Sequence, residues 1–259
     1  MRMRSVLTVA CLAVGTMVGA SAAQAVTYDL SADYSDTANP NGTWSYKFNG
    51  ANLPHVGAPS GANDLNVAIS PDGYFSTGND LNSFSPDLFK AQVNGSAATG
   101  YSDGDFLKDD IVIHSPNDAI HPLTIVWTAP SAGTVDSLLT SVWYAHSPIS
   151  RSNDVTLSST LSAVTTQLDA WTISKTSHGN KSDAATFTGG SFAVNAGDLI
   201  TLSFLHSAGE SFGSLNGVAM TVAFTAAIAP TPIPGALPRG AAGLACVGWV
   251  RHRKRKQAA

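Results

Sequence analysis

The chain has 259 residues, of which 44% are hydrophobic and only 12% charged, and its net charge is −4. Residues 26 to 230 carry six Lys and Arg against eighteen Asp and Glu, a net of −12, while the other eight cations lie toward the two ends. So acidic a body excludes nucleic acid as a partner, because phosphate binding needs clustered cations. With cysteines only at positions 11 and 246 it is also no disulfide scaffold.

Residues 1–25 read as a secretory signal peptide. Arg2 and Arg4 make a short positive start, and Val6 to Val18 is an apolar stretch. Ala23 and Ala25 then supply the small-x-small pattern that signal peptidase reads, which predicts a mature chain beginning at Val26. The apolar run would form a signal helix but is too short and wrongly flanked for a stable anchor. Cys11 lies inside that run, not after it, which argues against a lipoprotein.

Residues 26–228 predict an all-β domain, a jelly-roll-like antiparallel β-sandwich. Period-two alternation recurs in chain order. It runs through Leu123, Ile125 and Trp127, then Leu138, Val142 and Tyr144, then Val155, Leu157, Ser159 and Leu161. Ile200, Leu202 and Phe204 follow, and Val218, Met220, Val222 and Phe224 close the series. Each apolar face needs a second sheet to bury it. Turn-forming strings such as Pro71-Asp72-Gly73 and Asn195-Ala196-Gly197-Asp198 separate the runs. Residues 49–64 and 76–105 read as long loops, with one short helical turn near Pro86 to Lys90.

Enzyme signatures are missing from the body. Ser211-Phe212-Gly213-Ser214 lacks the Gly-x-Ser-x-Gly form of a serine-hydrolase elbow. Glu210 is the single glutamate, so a paired-carboxylate glycosidase would need two aspartates, and no pair stands out. His114 and His121 flank Asp118 and form at most half a metal site. Asp103, Asp105 and Asp109 are closely spaced loop carboxylates of the kind that hold a structural calcium, although their spacing is not that of an EF-hand. No other cofactor is expected. Asn180-Lys181-Ser182 fits an N-glycosylation pattern and is read as coincidence.

Trp44 and Trp143 are the ligand candidates, since an indole offers a flat face to a sugar ring. Trp143 and Tyr144 are adjacent, so on a strand they face opposite sides. Tyr144 shares its side with Val142 and His146, which makes Trp143 the surface candidate.

Residues 229–259 form a tail. A proline-rich spacer leads to a short apolar helix, Gly240 to Val250, and then to the basic stop of Arg251, Arg253, Lys254, Arg255 and Lys256. Eleven helical residues rise only ~17 Å, against a hydrocarbon core of about 30 Å, so transient membrane contact is expected and a permanent span is not.

This tail resembles the C-terminal sorting signal of the PEP-CTERM family, in a Pro-x-Pro variant, through Pro232-Ile233-Pro234-Gly235, the apolar run and the basic block. Arg239 departs from the family pattern, standing where an apolar residue is usual. The resemblance implies an exported substrate of an exosortase, cut near the proline motif and passed to the cell surface or to exopolysaccharide. The body also looks like sandwich domains that often precede such tails. The pieces that carry this are Asn39 to Tyr46, His121-Pro122, Val126 to Pro130, Gly197 to Ile200 and Gly217 to Phe224. That resemblance implies a jelly-roll module similar to carbohydrate-binding domains, and it brings no catalytic residues. The expected protein is a non-catalytic surface or matrix component that binds glycan. The rivals are an exported polysaccharide hydrolase and a purely structural or adhesive component.

Overall fold

The computed structural model describes residues 23–57, 68–69, 72–78, 86–97 and 100–228. The apolar part of the signal segment and the whole sorting tail, from 229 to 259, lie outside the described residues. In chain order the strands are β1 (Ala25–Asp29), β2 (Trp44–Phe48), β3 (Ala51–Asn52), β4 (His55–Val56) and β5 (Tyr74–Ser76). Next come β6 (Asp87–Lys90), β7 (Ile111–His114), β8 (Leu123–Thr128), β9 (Gly133–Tyr144) and β10 (Ser152–Leu161). The last five are β11 (Val164–Ser174), β12 (Ala185–Gly189), β13 (Phe192–Val194), β14 (Leu199–His206) and β15 (Leu215–Ala226).

These strands form a jelly-roll-like antiparallel β-sandwich. One sheet runs β12-β9-β15-β7-β6-β5-β4, with β1 also paired to β15 and β13 to β9. The other runs β11-β10-β14-β8-β2-β3. The five alternating runs of the sequence lie in β8, β9, β10, β14 and β15. Their apolar positions interleave between the sheets: Ile125, Trp127, Leu157, Leu202 and Phe204 from one side, and Leu138, Val142, Val218 and Val222 from the other. Burying each such side chain contributes roughly 1.5–3 kcal/mol.

The nine-stranded sheet has a second apolar layer on its outer face. Tyr74, Phe89, Phe106, Val112, Trp143 and Leu215 cluster there. Four of them alternate with an inter-sheet neighbour on their strand, as Phe75 with Tyr74, Leu88 with Phe89, Ile113 with Val112 and Val142 with Trp143. The predicted helical turn near Pro86 to Lys90 is instead strand β6, paired to β5 through Phe75 and Leu88 and to β7 through Leu88 and Ile113. The 49–64 stretch likewise contains the short strands β3 and β4. β6 escapes a period-two reading because both of its faces are covered, so its apolar residues run consecutively, whereas β3 and β4 are two residues long and too short to show a period.

Candidate functional site

The outer face of the nine-stranded sheet has two halves. One lies beneath the second apolar layer. The other, over β12, β9, β15 and β1, stays open. Cross-strand register fixes its rows. Thr186 pairs with Ser141, which pairs with Ala219. Thr188, Leu139, Thr221 and Asp29 make the next row, and Ser137, Ala223 and Thr27 the third. The side chains are small or hydroxylated apart from Leu139, which is 47% exposed, and Asp29. Asp29 is already occupied, since its Oδ1 accepts from the backbone N–H of Ser31 and Ala32 and its Oδ2 from Thr221 Oγ1.

Trp143 stands where the two halves meet. Its indole lies directly on the backbone of Gly217, the paired residue on β15. Its Nε1 donates to the backbone carbonyl of Asp105 at 2.6 Å. Beside it opens a cavity of about 210 Å³ lined by Ser141, Thr186, Ala219, Ser182, Ala184 and Lys181. Lys181 Nζ stands 5.2 Å from the indole centroid and 2.5 Å from Asp110 Oδ1. Asn180 accepts from Ser182 N–H and starts the 3-10 turn that carries the lysine.

The expectation that Trp143 is a surface residue is therefore corrected. It does face away from Tyr144, as adjacent strand residues must, but the second apolar layer and Lys181 cover it, and it has no exposed area. Trp44 is likewise buried, at 1% exposure. Its Nε1 donates to Asp33 Oδ2 at 3.0 Å. A second cavity, about 230 Å³, is lined there by Tyr28, Asp33, Asn41, Gly42, Thr43 and Trp44. It lies at the Asn41-Gly42 turn, away from the three hydroxyl-bearing rows.

The three aspartates read as calcium ligands do not converge. Asp105 is buried and accepts from Ser102 N–H, Ser147 N–H and Ser147 Oγ. It is a loop clasp, stitching 102–105 to Ser147. Asp109 instead faces Lys90, with Nζ to Oδ1 at 3.8 Å. Among the described residues, no group of three His, Cys, Asp or Glu side chains is placed to hold a metal. His114 and His121 also separate. His121 contacts Asp118, whereas His114 is buried with its ring 6.5 Å from that of His146.

That buried histidine pair borders a polar network at the end of the sandwich. Ser214 Oγ donates to Tyr144 Oη and contacts His146 Nδ1 at 2.9 Å. Ser115 Oγ donates to Asn153 Oδ1, and Asn153 Nδ2 to Asn216 Oδ1. Burial lowers His114 to about 4 and His146 to about 3. Burial raises the Asp87 carboxyl well above its ordinary value. One oxygen of that carboxyl accepts from the His114 backbone, and Oδ1 has no partner among the described residues. These groups brace loops and offer no open face.

No family model matches the chain, and no curated protein does. Among solved structures, the chain is similar to the CBM22-1 xylan-binding domain from Paenibacillus barcinonensis Xyn10C, at 7% identity and a TM-score of 0.34, over 62% of this chain and 91% of that one. It is similar to a family 35 carbohydrate-binding module from Clostridium thermocellum, at 15% identity and a TM-score of 0.27, over 52% and 86%. It is also similar to murine APRIL, at 16% identity and a TM-score of 0.20, over 36% and 69%.

Lys181, Ser141, Thr186 and Ala219 were not singled out by sequence. Lys181 showed itself only inside the sequon-like string. The others are ordinary strand residues, and only cross-strand register brings them to one place.

Proposed function

We propose that this chain is an exported, non-catalytic surface protein whose sandwich binds polysaccharide on the open outer face beside Trp143. The observation that carries the reading is the cavity there. Hydroxyls from Ser141 and Thr186 and the side chain of Lys181 stand around it, the covered indole of Trp143 lies at its edge, and it opens onto a small-residue sheet face. A few fixed hydroxyl groups beside apolar surface are the chemistry a sugar ring needs. Glycan-array binding of the purified 26–228 body tests it, alongside Ala219→Phe. That variant fills the cavity from an exposed strand position and leaves both apolar layers intact. Binding by the native body and its loss in the variant supports the reading. No binding across neutral and acidic polysaccharides removes it.

The address belongs to the same proposal. The signal segment sends the chain out through signal peptidase, and the 229–259 tail hands it to an exosortase for transfer to the surface or to exopolysaccharide. The support is the order of proline motif, apolar run and basic block. Deleting residues 229–259 should release the body into periplasm or medium. An unchanged surface distribution would remove the sorting role.

A further inference from the structure

The Lys181–Asp110 pair decides which sugars suit the Trp143 site. A lysine over a sugar-binding cavity is ordinarily read as a hook for a carboxylate or sulfate. Here the cation is already engaged, with Nζ 2.5 Å from Asp110 Oδ1. The Asp110 side chain is only 11% exposed, and its Oδ2 accepts from the backbone N–H of Leu107. Turning Lys181 toward a ligand anion would strip a mostly buried carboxylate of its counter-charge, which is strongly unfavourable.

The wider field points the same way. The rows beside the cavity present hydroxyl, methyl and methylene groups, and their one carboxylate, Asp29, is occupied by Ser31, Ala32 and Thr221. Residues 26 to 230 hold eighteen acids against six cations. A polyanion would approach this body against its net field. The side chain of Lys181 is 40% exposed and lies over the indole. Lysine keeps its ammonium in water while its stem covers apolar surface.

We infer that the site takes an uncharged, linear polysaccharide, and that Lys181, held by Asp110, is not an anion hook. From the Trp143 row to the Ala223 row is six residues, about 20 Å. Four strands give a width of about 14 Å between the outer two. The face therefore accommodates a short run of sugar units and not a single ring. This inference rests on the polysaccharide-binding reading above.

Affinity electrophoresis of the 26–228 body in gels containing hydroxyethylcellulose, xylan, mannan or dextran, and separately alginate or polygalacturonate, tests it. The native body should be retarded by at least one neutral polymer and by neither acidic one. Raising NaCl from 50 to 500 mM should change neutral binding less than twofold. Retardation by alginate or polygalacturonate that salt abolishes would overturn the inference while leaving polysaccharide binding in place. Passage of the native body through all six gels unretarded would sink both readings together.

Discussion

The indole of Trp143 occupies the space in which residue 217 would carry its side chain: a Cβ on Gly217 would stand 2.0 Å from Cε2 and 2.4 Å from Nε1 of the ring. The two residues are also a cross-strand pair between β9 and β15. One position needs the absence of a side chain so that the other can lie against the sheet.

Gly217→Ala should therefore force the indole off the strand. The expected loss is ~1–3 kcal/mol, as for other overpacked sites, with a change in Trp fluorescence. Trp143→Ala should cost more, about 3–5 kcal/mol. Urea unfolding of both variants checks the order. A neutral Gly217→Ala would mean that the ring is not held as described.

The buried histidines make stability depend on acid. His114 and His146 titrate near 4 and 3 in the folded chain, against about 6.5 when unfolded. The unfolded chain thus binds protons first, and stability falls as pH drops from about 6.5 to about 3. Each histidine adds a slope of up to about 1.4 kcal/mol per pH unit within its window. His146→Gln should flatten the thermal midpoint between pH 4 and 6. Asp118 and Asp198, whose values are lowered by hydrogen bonding, act only in the more acidic range, which separates the two effects.

Asp87 has the opposite sign. Its folded value is raised by burial, so the unfolded chain loses its proton first as pH rises above about 3.9. The native carboxyl therefore becomes a growing liability toward its folded pKa. Asp87→Asn should stabilise the protein at pH 8 by about 1–3 kcal/mol and change it less at pH 4. Urea midpoints at the two pH values test this, and a loss of stability at pH 8 would show that the carboxylate is needed.

Mass spectrometry of the protein from its native host should find Val26 as the first residue and a C-terminus near Pro232 to Gly235. An intact Met1 or Ala259 would contradict the addressing proposal at that end.

Alternation made the inter-sheet faces of β8, β10, β14 and β15 legible, because one side of each strand is polar. It failed for β5, β6 and β7. Tyr74-Phe75, Leu88-Phe89 and Ile111-Val112-Ile113 are apolar on both faces, since each strand lies between two apolar layers. The same second layer explains the tryptophan error. Adjacent residues on β9 do point apart, but nothing local in sequence says that the loop carrying Asp105 and Phe106 will pack against the outward one. Lys181 could not be tied to Trp143 from sequence, because 38 residues separate two groups that only the folded sheet brings within 5.2 Å.

The pairing of β1 with β15 has a mechanical consequence. Ala25 lies opposite Thr225, so the strand that opens the sandwich and the strand that closes it meet at one corner. A covalent attachment made beyond residue 228 would grip the molecule at that corner. Trp143 pairs with Gly217, nine residues back along β15 from Ala226, which at strand spacing is roughly 30 Å. The Trp143 end of the sheet is thereby held well away from such an attachment, while the Ala223 row lies close to it.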